Sequence, residues 1–295
     1  MSAWSKSLDA ADIRDAGLRE DYGVQREAVK RSRSTAYLAA RWLLPRPVLP
    51  YVLAATAVME HGDTLLDTGP LPERQRAWEV WEERVRKALA TGESDDPLIR
   101  TLVHTVAAHP RMRETVDAYL ATAQAELSFS GFAAEADYQA YVDAYSLPAF
   151  MLIGTLLGPR DDDGSFRAGC RTFIEGAQRL DFVNDVAEDL REGRTGIPAD
   201  TLARFSLTRD ALAAGGDPAA VRALVDHEVA LSRRSLEAAR ELPGLAPAPH
   251  RRLLSTLVEV ELLTAEAVSA RGAGVLDGSA APSRPAALRL LLRGR

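Results

Sequence analysis

The chain has 295 residues, 46% of them hydrophobic, and a formal net charge of −6. That length and apolar share allow one large domain or two smaller ones around a sizeable core, and the acidic balance argues against a nucleic-acid footprint. The single cysteine, Cys170, excludes an internal disulfide and a cysteine-rich zinc site, and is expected to be a small buried residue.

The opening Met1-Ser-Ala-Trp-Ser-Lys6 lacks the long apolar run of a signal peptide. No apolar stretch reaches about 18 residues, so no membrane span is expected and the expected location is cytoplasmic. Helical periodicity dominates, without an internal repeat or sustained β alternation. In chain order the pattern predicts helices over 24–43, 47–67, 71–91, 97–108, 111–130, 135–158, 166–193, 217–241 and 248–271. The breaks are short and marked by Pro and Gly: Pro45-Arg-Pro47, Thr68-Gly-Pro70, Thr91 to Pro97, Gly158 to Gly164, Gly215 to Pro218 and Leu242 to Pro249. None reads as a domain linker, so a single all-α domain over 1–295 is expected, with 1–23 and 272–295 peripheral. The small, polar stretch Gly272–Pro285 reads as a mobile connector to a short last helix, 286–292. The Arg-rich tail, Arg284 to Arg295, reads as a solvated terminal helix, with contact to anionic lipid as the other reading.

Two acidic clusters stand out. One is Asp63-Thr-Leu-Leu-Asp67; the other runs Asp181-Phe-Val-Asn184-Asp185-Val-Ala-Glu188-Asp189. Helix residues four apart are neighbours, roughly 5–6 Å at Cβ, and like charges there repel. Asp is also a poor helix-interior residue. Both clusters follow strongly apolar sequence: Val48, Val52, Leu53, Val58 and Met59 in one segment, Phe173, Ile174, Leu180, Phe182 and Val183 in the other. Helices apolar around most of their circumference lie inside a protein, which places these carboxylates at the rim of a core. An isolated pair of this kind also suits a solvated helix end. Two such clusters point instead to a cation that offsets the repulsion. All-oxygen clusters suit Mg²⁺, which is held by a few carboxylates plus substrate phosphates. Two such helices facing each other across an apolar cavity would make a Mg²⁺–diphosphate site.

The remaining chemistry is sparse. The five histidines, His61, His104, His109, His227 and His250, show no metal-ligand spacing. His61, two residues before Asp63, is either a lining residue of the site or an ordinary helix residue. No P-loop and no GxSxG elbow is present. The basic stretch Lys30-Arg-Ser-Arg33-Ser34-Thr-Ala-Tyr37, with Arg41, offers the fixed cations a diphosphate cavity needs, or else a basic exposed helix start. Arg191 and Arg194 have the same two readings, with pairing to Glu188 or Glu192 as the structural one.

With these segments placed, the chain resembles the squalene/phytoene synthase family. Ser32 to Pro45 is similar to that family's opening "SRSFYLASRLLP" helix. Asp63 to Asp67 is similar to its first DxxxD motif, and Gln178 to Arg194 to its second, "QxxNxxRDVxEDxxRGR". Ile197-Pro198-Ala-Asp-Thr-Leu202-Ala-Arg-Phe205 is similar to the "LPxDxLxxFG" that follows. The resemblance implies an all-α isoprenoid synthase bundle with a central cavity. It also implies Mg²⁺-dependent ionisation of a prenyl diphosphate of the C10–C20 range, with coupling of the cation to a second prenyl chain. By position it makes Asp63, Asp67, Asp185 and Asp189 metal ligands. Arg33, Ser34, Tyr37, Gln178, Asp181, Arg191 and Arg194 become substrate-binding residues. A greasy substrate would bring the protein to a membrane surface as a peripheral partner.

The chain also departs from the pattern. Glu60 stands where the family commonly has Arg, Thr56 and Val58 where aromatics are usual, Asp181 for Asn, Asn184 for Arg, and Glu126 for the aspartate of an "MDL" segment. Tyr145-Ser-Leu-Pro148 replaces a Val-Ala-Gly helix, and Pro148 is expected to kink it. These changes spare the metal ligands and alter the cavity. They keep two alternatives open: a cyclase or atypical prenyltransferase acting on one prenyl diphosphate, and a non-catalytic lipid-binding or assembly protein.

Overall fold

The computed structural model describes residues 2–161 and 164–292, without the side chains of Gln124, Arg284, Leu291 and Leu292. Thus 162–163 of the predicted Gly158–Gly164 turn, and 293–295 of the Arg-rich tail, lie outside the described residues. No strand occurs among the described residues. In chain order the α-helices are α1 Ala3–Ala10, α2 Ala16–Ser32, α3 Ser34–Leu43, α4 Leu49–Asp67, α5 Leu71–Thr91, α6 Pro97–Ala108, α7 Met112–Leu120, α8 Ala123–Leu127 and α9 Glu135–Tyr141. Then follow α10 Leu147–Leu157, α11 Ser165–Asn184, α12 Val186–Arg191, α13 Ala199–Arg204, α14 Arg209–Ala213, α15 Pro218–Ala238, α16 Leu242–Leu245, α17 Arg251–Arg271 and α18 Arg284–Leu292.

The helix ends follow local chemistry. Asp15, Asp96 and Asp217 accept backbone N–H bonds at the starts of α2, α6 and α15, and Pro97 and Pro218 occupy first-turn positions. Gly92, at φ 80°, closes α5 in the left-handed conformation. Several predicted helices are interrupted, 24–43 and 111–130 among them. At Arg33 (φ −127°, ψ 59°) the backbone N–H still donates to Val29 and the carbonyl still accepts from Tyr37, so α2 ends and α3 starts on one residue. The segment predicted over 111–130 breaks after α7, where the Thr122 hydroxyl donates to the Tyr119 carbonyl. Before Pro148 the helix widens into a π turn over Val142–Ser146, which accommodates the ring that would crowd the carbonyl four residues back. The resulting continuous stretch Glu135–Leu157 has 23 residues. By length and composition it could cross a membrane, contrary to expectation, but 61% of its most apolar window is buried.

The chain divides into two compact units. The first comprises Met1–Leu127, Pro148–Arg160 and Ala246–Leu253. Its centre is α4, where every residue from Leu49 to Val58 is buried, and which packs on α2, α5 and α6. Residues 1–23 contribute to this core through Leu8, Ile13 and Tyr22, each at most 2% exposed.

The second unit comprises Ser128–Leu147, Asp161–Leu245 and Leu254–Arg295. Here α11 packs along α15. A Cβ at Gly176 would come within 2.9 Å of the Ser232 carbonyl, so only glycine permits this approach. Cys170 is fully buried, as expected. Between α11 and α15 lies Arg179, whose guanidinium donates to Glu135, Glu175 and Glu228 and sits 4.2 Å from the Tyr138 ring centroid. The stretch read as a mobile connector begins instead with a 3₁₀ turn, Gly272–Asp277, that buries Val275.

Removing one partner of a buried ion pair leaves the other charge uncompensated, at a cost of about 3–5 kcal/mol. Arg179→Met should lower the stability of this unit by that amount in urea titration. Adding Glu175→Leu and Glu228→Leu should restore most of the loss. A single variant as stable as the parent would show that the cluster carries no structural weight.

Candidate active site

The first acidic pair lies in the last turns of α4, at the negative end of the helix dipole. Gly62 and Leu66 are buried, which turns Asp63 (29% side-chain exposure) and Asp67 to the rim. Arg33 is brought here, but chiefly to the residue one turn earlier. Its Nε donates to Glu60 at 2.6 Å, and its Nη2 lies 3.9 Å from Asp63. The Ser32 hydroxyl donates to the second Glu60 oxygen at 2.7 Å. Ser34, at the start of α3, is exposed, and Tyr37 is buried.

Beneath the pair is Tyr119, which the sequence reading missed. Its hydroxyl donates to the Met59 carbonyl at 3.3 Å. Burial, and then the nearby Asp63 and Asp67, push its ionisation well above the ordinary tyrosine range. A Cβ at Gly62 would fall 1.9 Å from that hydroxyl, so the glycine admits the ring; a lone glycine inside a helical pattern was the available signal. His61 packs against Trp81 at 5.6 Å and is shifted down by burial, with Asp96 and Arg84 as its charged neighbours.

The second cluster does not lie in one helix. α11 ends at Asn184, and Asp185 (φ −100°, ψ 11°) both closes it and opens α12. The Asp189 N–H still donates to the Asp185 carbonyl, so one turn separates the two carboxylates. Asp185 is half-buried, and burial, then Glu188, raises its carboxyl above the usual range. Asp189 is 7% exposed and pairs with Arg194 at 3.4 Å; Arg194 also pairs with Glu192 at 3.0 Å. Gln178 receives a bond from the Ser146 hydroxyl at 2.9 Å and donates to Asp181 at 3.4 Å. Glu261 of α17, also missed, is raised to about 7 by burial and by Asp181.

Arg191 stands apart from this group. It lines a cavity of about 540 Å³ with Ala187, Leu190, Leu212 and Leu276. Residues 187, 190 and 191 lie on the side of α12 roughly opposite Asp185 and Asp189 at about 100° per residue.

The end of α11 has a long-range partner. The Asn184 side-chain amide donates to the Ala280 carbonyl at 3.0 Å and accepts from the Ala280 N–H at 2.7 Å. One residue before Asp185, the C-terminal segment is thereby clamped to the end of α11.

Among the described residues no three His, Cys, Asp or Glu side chains converge as a metal cage. The donors in each unit are carboxylate pairs. These fit a hard cation such as Mg²⁺, which is held by one or two carboxylates and completes its shell with water and phosphate.

The strand-free helical architecture of the described residues matches the helical isoprenoid-synthase fold. The family profile described as squalene/phytoene synthase matches residues 29–287. The chain belongs to the squalene/phytoene synthase family, whose members are prenyltransferases. The bifunctional protein CrtB/UppS of Streptomyces coelicolor is 28% identical over 270 residues, 88% of this chain and 48% of that protein. The chain therefore spans about half the length of this curated relative. Squalene synthase HpnC from Alicyclobacillus acidocaldarius has a similar fold, with TM-score 0.76, 23% identity, and coverage of 92% of this chain and 99% of that one. A ligand-bound dehydrosqualene synthase gives TM-score 0.83 at 18% identity over 94% and 95% of the two chains.

Two measurements test this geometry. Asn184→Ala should speed amide hydrogen exchange over 278–283, and unchanged exchange there would show the clamp to be idle. Glu261, ordinarily near 4.5, binds its proton more tightly folded than unfolded. Its contribution is therefore lost as pH rises from about 4.5 through 7. Glu261→Gln should flatten the fall in stability between pH 5 and 8.

Proposed function

We propose that this chain ionises a prenyl diphosphate with Mg²⁺ and couples the resulting allylic cation to a second prenyl chain. The observation that carries the reading is the carboxylate pair at one-turn spacing in each unit, kept within a chain of the squalene/phytoene synthase family. Asp63 and Asp67, and Asp185 and Asp189, would hold Mg²⁺, which supplies Lewis-acid charge to the departing diphosphate. The family match crosses both units, which supports one synthase domain.

The protein's own groups have separate tasks in this reading. Gln178, fixed by Ser146, orients Asp181. Arg194 holds Asp189 in place. Arg33, already beside Asp63, offers a cation to the diphosphate. Buried apolar residues around α4 keep water from the cation.

One observation favours a second reading, in which a single prenyl diphosphate is cyclised or joined to another acceptor. Glu60 holds Arg33 and Ser32, so positive charge that a second diphosphate would need is already neutralised. Glu60→Gln should release Arg33 and lower KM for a prenyl diphosphate by about tenfold, the worth of one charge-assisted bond. An unchanged KM would remove Arg33 from the site.

The deciding assay incubates the protein with geranyl, farnesyl and geranylgeranyl diphosphates, with and without Mg²⁺. It follows diphosphate release beside mass analysis of the extract. Mg²⁺-dependent release with C30 or C40 hydrocarbon supports coupling; release with C10–C20 products supports the second reading. Asp63→Ala and Asp185→Ala should each cut release by about a hundredfold or more. Their folding should hold, because each removes a carboxylate that its neighbour or its burial disfavours. No release from any of the three substrates would sink the proposal.

A further inference from the structure

We propose that the exposed face of α3, with its flanking arginines, docks on an anionic lipid surface. From Ala28 to Met59 the chain carries Lys30, Arg31, Arg33, Arg41 and Arg46 and no acidic residue, in a protein whose net charge is −6. Two of these cations are taken: Lys30 pairs with Glu27, and Arg33 with Glu60. Arg31, Arg41 and Arg46 are exposed and have no carboxylate partner among the described residues.

Apolar surface accompanies this charge. Tyr37, Ala39, Ala40 and Leu43 face the core. Leu38 and Trp42, one turn apart, are 37% and 42% exposed. At about 100° per residue, Ser34, Thr35, Leu38, Arg41 and Trp42 fall within about 120° of the helix circumference. An exposed Trp beside Leu and unpaired Arg is the composition that sits in the headgroup region of a bilayer. Charge selects among occupants. A second copy meeting the face through the same strip would set Arg31, Arg41 and Arg46 against their own counterparts, whereas an anionic bilayer supplies both negative charge and apolar depth.

The face is distinct from the acidic pairs, and the proposal rests on it alone. Its failure would leave the catalytic reading untouched, because the test uses no substrate. The full-length protein is floated with phosphatidylcholine vesicles, with and without phosphatidylglycerol. Binding is expected only with phosphatidylglycerol, weakening as salt rises from about 0.05 to 0.5 M. The double variant Leu38→Ser/Trp42→Ser should bind about tenfold less tightly, with its far-UV spectrum unchanged. Arg46→Glu, a surface charge change that leaves the core intact, should weaken binding even if the double variant does not fold. Equal binding to both vesicle types overturns the proposal, as does parental affinity in Arg46→Glu. A dimer that Trp42→Ser dissolves, without vesicle binding, assigns the face to a second copy and also overturns it.

Discussion

A guanidinium buried among three carboxylates organises the second unit. Arg179 has 4% side-chain exposure and Glu228 2%. Burial works against the charge of Arg179, but the bond to Glu135 and the surrounding anions outweigh it, and its ionisation is held above the ordinary arginine range. Burial pushes Glu228 up while Arg179 opposes it. Such a cluster is specific in geometry because every alternative packing strands a charge. It fixes the rotation of α11 about its own axis. At about 100° per residue, Glu175, Gly176 and Arg179 share one face. Gln178, Asp181 and Asp185 share another face, centred about 130° round the helix, so the ion cluster that pins α11 to α15 also aims the candidate site residues.

The end of α11 is set differently. A continuous helix would carry Asp181, Asp185 and Asp189 as a ladder of like charges on one stripe, each repelling the next. Both turns survive, with the Asp185 N–H bonded to the Asp181 carbonyl and the Asp189 N–H to the Asp185 carbonyl, so the axis changes at Asp185 itself. Asn184 makes the break tenable by spending its amide on the backbone of Ala280. The 3₁₀ turn that buries Val275 brings the C-terminal segment within reach. Thus Gly272–Pro285 is a structural partner of the acidic motif.

This explains which features were legible in the sequence. Starts and stops encoded within a few residues were legible: Pro97 and Pro218 inside helix starts, Gly92 at a helix end, the apolar run of α4. The acidic pairs were legible because charge in an apolar helix is costly wherever the helix sits. The interruptions at Arg33 and after Asn184 were not, since the groups that bond these residues are Glu60 and Ala280, 27 and 96 residues away. Arg179 looked like one more charge in a charged motif. Only the fold shows that it is buried and that Glu135 and Glu228 converge on it from other helices. Arg191 falls on another side of α12 from Asp189, because proximity in sequence does not fix the side of a short helix on which a residue lies.

The departures from the family pattern now have physical meaning. Glu60, in place of a cation, does not stand idle beside Asp63; it draws Arg33 and Ser32 across from α2 and the α2–α3 junction. Asn184, in place of a second cation, holds the C-terminal segment. In each unit positive charge next to an acidic pair has been exchanged for a structural bond. The Arg-to-Glu exchange changes local charge by two units and the Arg-to-Asn exchange by one. Beside the second pair, burial and then Glu188 raise the Asp185 carboxyl. The apo protein tolerates this because Asp63 and Asp67 lie at a solvated rim, while Asp189, the one buried deeply, has Arg194 beside it. The chain has kept its carboxylates and rebuilt the polarity around them, through the partners of Glu60 and Asn184.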